Sequence, residues 1–491
     1  MGFLSFVIWT PIVAGCLLLA FSGERYNRLV RWGALIAAIT SFGQTIMLYS
    51  RFNPILSDMQ LVENVPWIPG INSNYHVGVD GISLWFVVMT AFITALVVLA
   101  SWTNITERVN QYMGAVLVLS GLMIATFCVL DALMFYVFFE ATLIPMYLII
   151  GIWGGPRKIY SAFKFFLYTL MGSLFMLIAM AYLYTVSGNS FDIATWQALP
   201  LGATEQTLLF FAFVAAFGVK LPMWPLHTWL PDVHVEAPTG GSAILASIRL
   251  RLGGYGFLRL ALPIAPDAAH RWAWLMLALS LIAVVYIGLV ALVQQDMNTL
   301  VAYSSVSHMG YVTLGLFVFS GAGNSGAILQ MLAHGLISPG MFLCVGVLYD
   351  RMHSRQIADY GGVANTMPRF VALAMIFAFG NFGVPATAGF VGEWTVIIAI
   401  VKANLWIGLI GGTSLVLAAA YTLWMVQRVY LGPIANDNVR SLRDINLRET
   451  VVLCVLGLSV LWMGVYPKPI MQAMDASVVK LTQHMAQSKL Q

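Results

Sequence analysis

The chain reads as an all-α polytopic membrane protein with about fourteen transmembrane helices, each needing roughly 20 mostly apolar residues. Three observations predict this class. Of the 491 residues, 60% are hydrophobic and only 9% are charged, against about 25% charged in ordinary soluble domains. The apolar residues run in stretches of near-spanning length separated by short polar loops. The basic residues gather in alternate loops, as they do where cytoplasmic loops are positive.

The stretches fall at 3–21, 32–50, 82–101, 114–130, 133–153, 165–186, 208–226, 241–262, 272–293, 300–320, 326–348, 370–401, 406–426 and 451–466. The first lacks a basic leader region and a small-residue cleavage site, so a retained helix is expected and not a signal peptide. Arg25, Arg28 and Arg31 precede the second, and Arg157, Lys158 and Lys164 part the fifth from the sixth. Arg351, His353, Arg355 and Arg369 flank the loop after the eleventh, and Arg428, Arg440, Arg443 and Arg448 the loop before the last. Fourteen crossings put all four basic loops on one face, the cytoplasmic or matrix one. The connections 51–81 and 187–206 fall on the other face and carry acids but almost no bases. Both termini are therefore expected on the periplasmic or intermembrane side.

Composition also excludes several functions. The net charge of +4 belongs to the basic loops, so nothing points to nucleic acid. Cys16, Cys128, Cys344 and Cys454 stand singly in apolar runs. Without a CxxC pair or a histidine cluster, neither zinc nor an iron–sulfur centre is expected, and no metal site is assigned. No strand followed by G-x-G-x-x-G opens a dinucleotide site. If the chain takes part in redox chemistry, the electrons travel elsewhere.

Two apolar stretches are interrupted. In GVKLPMWPLHTWLP, Pro222 and Pro225 each remove a backbone donor and obstruct the helix behind them. In FGNFGVPATAGFVGEW, Gly383, Pro385 and Gly389 break the stretch 370–401, which is too long for one straight span, and Glu393 follows. Paired broken helices mark ion sites in transporters built from repeats. Their freed backbone groups must find partners in protein or trapped water. The plainer alternative is that the prolines only kink packed helices.

Ionisable residues inside hydrocarbon are costly and mark ion pathways or proton relays. Glu140, in VLDALMFYVFFEATLIPMYLIIGIW, and Lys220, beside the first break, form the leading couple. Burial and mutual attraction act in opposite directions on each, and such a pair titrates as a unit, so a charge arriving nearby decides which group holds the proton. The alternative is a static ion pair that fixes packing. Lys164 enters its helix from the basic side and either snorkels outward or modulates the couple. His227 and His234 flank the first break, while His308 and His334 lie in apolar helices. Histidine titrates near physiological pH, and these four can form a chain towards Glu393 or serve as hydrogen-bonded core residues. Tyr303, Ser304, Ser305 and Ser307 offer hydroxyls that extend such a chain or only help packing.

The segments GVKLPMWPLHTWLPDVHVEAPTGGS, LRLGGYGFLRL, VAYSSVSHMGYV, AHGLISPGMFLCVGVLYDR and GFVGEW resemble the antiporter-like membrane subunits of respiratory complex I, in the NADH dehydrogenase subunit 4 branch. The resemblance spans nearly the whole chain. It implies fourteen helices with two inverted five-helix repeats, each with a discontinuous helix. The organisation implied is N-terminal transmembrane helices at 1–110, a first repeat at 111–262, a second at 263–430, and a C-terminal loop, last transmembrane helix and polar tail at 431–491. It further implies one proton-translocating module of a membrane arm, in a bacterial inner or mitochondrial inner membrane, packed against neighbouring antiporter-like subunits. No cofactor is implied in this chain; NADH, FMN, iron–sulfur clusters and quinone belong to partner subunits. Glu140, Lys220 and Glu393 fall on the family's Glu of the fifth helix, Lys of the seventh and Glu of the twelfth. His227, His308 and His334 also occupy family positions.

Three departures matter. Arg251 stands where the family usually has a central lysine, and arginine stays protonated in proteins, so it can organise water or bias its neighbours but not relay protons itself. Arg249 is a further cation two residues away, on another face of the helix, which requires a carboxylate, a path to the interface, or lipid headgroups. Asn298 and Thr299 replace lysines of relatives, which weakens proton uptake there. The leading expectation is a proton channel using Glu140, Lys220, Arg251, His308, His334 and Glu393, supported by Lys164 and His227. The rivals are a cation/proton antiporter subunit of the multisubunit sodium/proton type, against which Glu393 argues, and a non-pumping structural subunit.

Overall fold

The computed structural model describes residues 2–490, most of them helical. Among the described residues, ten helices are long and apolar enough to cross a membrane by length and composition. Four of the expected stretches meet helices of another kind. The first is the shorter apolar helix Phe3–Leu19, and 370–401 divides into Pro368–Asn381 and Ala388–Ala403. The stretch 300–320 is the helix Met297–Leu316, with three serines and one histidine. The stretch 241–262 is a helix with two widened turns, at Leu245–Arg249 and Phe257–Ala261, either side of Leu250–Gly256. Such π-type widenings are frequent at functional sites.

Isolated aspartates in apolar sequence mark where helices begin. Asp80 accepts from the backbone of Ile82 and Ser83, and Ser83 Oγ accepts from the Asp80 backbone N–H, closing a reciprocal cap on Gly81–Ala100. Asp131, Asp192 and Asp296 accept from Met134, Thr195 and Thr299 in the same way. Each satisfies a backbone donor that the first turn leaves without a partner. Asp80 also pairs with the partly buried Arg259 at 2.8 Å.

The connection after the second span, read from sequence only as an acid-bearing loop, contains a β-hairpin. Strand β1 (Gln60–Ile68) pairs antiparallel with β2 (Ser73–Val79). Glu63 of β1 accepts from Gly2 N at 2.7 Å, Ser5 N at 2.9 Å and Ser5 Oγ at 2.6 Å. A carboxylate is thereby fixed at the first helix's N-terminus, where the helix dipole favours it. The polar tail forms the helix Lys468–Met485. Its Ser477 Oγ accepts from Gly81 N at 3.0 Å, and Lys480 reaches Asp58 at 2.5 Å.

Both interrupted stretches are broken. Ala203–Lys220 stops at the lysine, and the chain turns through 221–228 before Trp229–Glu236. Freed carbonyls find donors in the turn: Met223 N reaches Gly218 O at 2.8 Å and Trp229 Nε1 reaches Val219 O at 3.0 Å. Between Asn381 and Ala388 the backbone passes through positive φ at Gly383 (70°) and Ala386 (74°), and Val384 N bonds Phe379 O at 3.0 Å. Backbone left irregular at membrane depth is tolerated where protein serves it in this way.

Candidate functional site

The helix that bears Glu140 is interrupted at Thr142, between Ala132–Ala141 and Leu143–Trp153. Lys220 Nζ donates to the Phe139 carbonyl at 2.8 Å, which also accepts from Thr142 Oγ1 at 2.8 Å, and to Glu140 Oε1 at 3.4 Å. Lys220 also lies over the Phe139 ring. Its side chain is 1% exposed and that of Glu140 14%. Glu140 Oε2 has no hydrogen-bond partner among the described residues.

The helix Leu250–Gly256 crosses the end of the Lys220-bearing helix Ala203–Lys220 closely. A Cβ on Gly253 would meet Phe217 O at 2.6 Å and Leu221 N at 2.7 Å, so only glycine admits the approach. One turn earlier, Arg249 is buried over the Phe165 ring at 4.1 Å, and none of its guanidinium nitrogens has a hydrogen-bond partner among the described residues. Of the partners sequence demanded for it, no carboxylate bonds it among the described residues, and an aromatic face lies against it instead. Arg251 is fully engaged. Its Nε donates to Met331 O at 2.8 Å, Nη1 to Ala246 O, and Nη2 to His334 Nδ1 at 2.9 Å.

Beyond Arg251 lies a further group of polar side chains. The His334 and His308 rings lie 5.6 Å apart, and His308 Nδ1 meets Glu393 Oε1 at 2.6 Å. Gln330 Nε2 donates to the same oxygen at 3.1 Å, and Tyr421 Oη lies 3.4 Å from His308 Nε2. Gly392 permits this: a Cβ there would collide with Gln330 Cα at 2.6 Å.

Of the residues expected to handle protons, the fold thus groups Glu140 with Lys220, and Arg251 with His334, His308 and Glu393. Lys164 and His227 belong to a third group. Lys164 pairs with Asp232 at 2.5 Å in a half-exposed setting, and the buried His227 ring lies 6.4 Å from that of Tyr303. His234 stacks on Phe342 at 4.2 Å with neither ring nitrogen bonded within the described residues. Asn298 donates to the His234 carbonyl at 3.0 Å. Ser304 and Ser305 donate to Val301 O, and Ser307 to Val284 O, which leaves those protons committed to backbone. Sequence reasoning passed over Gln330, Tyr421 and Asp232. Asp232 had a signal in the motif LPDVH; the other two are single polar groups in apolar helices with nothing to distinguish them.

Buried side-chain atoms without a partner among the described residues occur in both groups, at Glu140 Oε2 in the first and at His334 Nε2, Gln330 Oε1 and Glu393 Oε2 in the second, and also at the Arg249 guanidinium, His227 Nδ1 and both His234 nitrogens. Buried polar groups are otherwise almost always paired, so these atoms give the site its electrostatic character.

Residues 129–418 match the family described as NADH:quinone oxidoreductase/Mrp antiporter, transmembrane. NADH-quinone oxidoreductase subunit M of Rhodobacter capsulatus is 46% identical, covering 98% of this chain and 96% of that protein. NADH-ubiquinone oxidoreductase chain 4 of Arabidopsis thaliana is 42% identical over 98% of this chain and 97% of its own. Among solved structures, a chain of respiratory complex I from Thermus thermophilus with bound NADH superposes with a TM-score of 0.91 at 30% identity, covering 99% of this chain and all of that one.

Proposed function

The chain belongs to the NADH:quinone oxidoreductase/Mrp antiporter family of transmembrane proteins, and on that premise we propose that it moves protons along the row from Glu140 and Lys220 through the histidines to Glu393. It is an antiporter-like subunit of the membrane arm of complex I, NADH-quinone oxidoreductase, with antiporter-like subunits as neighbours. Proton pumping fits this family. The family description spans oxidoreductases and antiporters alike. The relatives at 46% and 42% identity over nearly the full chain place it with the former.

In this reading a redox-driven change in neighbouring subunits draws Glu140 away from Lys220. An ammonium deprived of its counter-ion in a dry setting gives up its proton readily, and the histidines pass charge towards Glu393. The observation that supports it is the presence of buried polar atoms without partners among the described residues around two carboxylates, each group beside a broken helix. The same reading takes the chain as fourteen spans in two inverted repeats, at 111–262 and 263–430, with both termini on the periplasmic or intermembrane side. NADH, FMN, iron–sulfur clusters and quinone are assigned to partner subunits.

The test is proton translocation per NADH oxidised in the assembled enzyme. Lys220→Ala and Glu140→Ala are each expected to lower it sharply while electron transfer in the peripheral subunits remains possible. Near-normal pumping in both variants would sink the proposal and favour a structural subunit.

A further inference from the structure

A guanidinium is a donor only: it has no acceptor and keeps its proton inside proteins. In the 2.9 Å contact between Arg251 Nη2 and His334 Nδ1, Arg251 therefore donates and Nδ1 accepts. A neutral imidazole carries a single N–H, so the proton of His334 sits on Nε2. While the contact lasts, Nδ1 cannot take a second proton, and Nε2 cannot release its own without leaving an imidazolate. Arg251 is not free to drift, since Met331 O and Ala246 O hold its other two nitrogens.

On its far side His334 faces a cavity of about 10 Å³ lined also by His308, Gln330 and Glu393, which is room for about one water molecule. His334 Nε2, Gln330 Oε1 and Glu393 Oε2 all lack a partner among the described residues. One bridging water would find a donor in Nε2–H and acceptors in the two oxygens.

The geometry points to Arg251 as a positioning residue that closes the axis between its two halves by fixing His334 in the Nε2–H tautomer. This rests on the reading that the axis carries protons. With the contact closed, His334 passes no proton from the Lys220 half to the cavity beside Glu393. When the contact opens, Nδ1 accepts one proton from the Lys220 side and Nε2 gives one to the cavity, leaving His334 neutral. The ring then carries Nδ1–H, which meets Arg251 donor to donor. The closure cannot re-form until the tautomer resets, so each opening passes one proton.

The assembled complex in sealed vesicles, without NADH, tests this through passive proton leak under an imposed pH gradient. Arg251→Met is expected to raise the leak several-fold, and Arg251→Lys to give an intermediate rise with assembly preserved. Nitrogen-15 spectra of labelled histidine, assigned by difference from His334→Gln, are expected to show Nε2–H in the wild type and a tautomer mixture in Arg251→Met. An unchanged leak in both Arg251 variants, or a wild-type His334 signal reporting Nδ1–H, overturns the proposal. If Lys220→Ala abolishes pumping while the Arg251 variants stay silent, the closure alone is wrong. If Lys220→Ala pumps normally, the proton-axis reading falls first.

Discussion

The two carboxylates that bound the axis are held differently. Glu140 meets Lys220 at 3.4 Å and is 14% exposed; like Glu393, it keeps one oxygen without a partner among the described residues. Glu393 is 2% exposed and receives His308 at 2.6 Å and Gln330 at 3.1 Å on one oxygen. Charge-assisted bonds near 2.7 Å are the strong ones, so the second site is set while the first stands ready to exchange partners. The contrast assigns the moving part to the Lys220 half and the fixed part to the Glu393 half.

Shortening each carboxylate by one methylene breaks or sharpens that contrast. Glu393→Asp draws the carboxyl back by about 1.5 Å from a contact with no slack, and most proton translocation is expected to be lost. Glu140→Asp should keep the larger share, because a loose pair adjusts. Equal losses, measured as acidification per NADH oxidised, would remove the distinction.

Arg249 gives a middle-sized effect. A buried cation without a hydrogen-bond partner is costly, so Arg249→Leu is expected to hold or raise the thermal stability of the complex, by up to about 1–4 kcal/mol. The same change should alter pumping, because the Arg249 charge acts on both Glu140 and Lys220. A clear fall in melting temperature would show that Arg249 has a structural partner.

Smallest is Lys164→Ala. Its bond to Asp232 is short, but both side chains are partly exposed, at 21% and 32%, and such pairs contribute about 0.2–1 kcal/mol. Assembly should be unchanged and translocation modestly reduced. A loss as deep as that of Lys220→Ala would move Lys164 into the axis proper.

The neighbourhood of Glu140 and Lys220 was readable in sequence because each charge stands alone in an apolar run, and the broken helices because prolines and glycines interrupt spans that are otherwise continuous. Gln330 and Tyr421 were not readable. The Gln330 helix is buried on nearly all sides, so no periodicity singles out a face turned towards the axis, while Tyr421 lies on a buried stripe with Gly408, Gly411, Ser414 and Ala418, whose spacing marks a packed face but not what it packs against. The widened turns around Leu250–Gly256 leave no residue signature at all. Hairpin β1–β2 was hidden because QLVENVPWI does not alternate apolar with polar residues and carries Pro66. The tail helix had a signal that went unused: Ile470, Met474, Val478, Leu481 and Met485 recur at helical spacing and are its buried face.

That terminal helix also sets an order of events in biosynthesis. A Cβ on Gly81 would strike Ala473 O at 2.0 Å, and Thr482, His484 and Lys489 bond Asn324, Pro263 O and Ile264 O respectively. Residues that leave the ribosome after every segment they touch thus buckle together helices inserted earlier. Until they emerge, the start of the Gly81–Ala100 helix lies uncovered, and a nascent chain that stalls before them offers quality-control proteases an unclasped bundle.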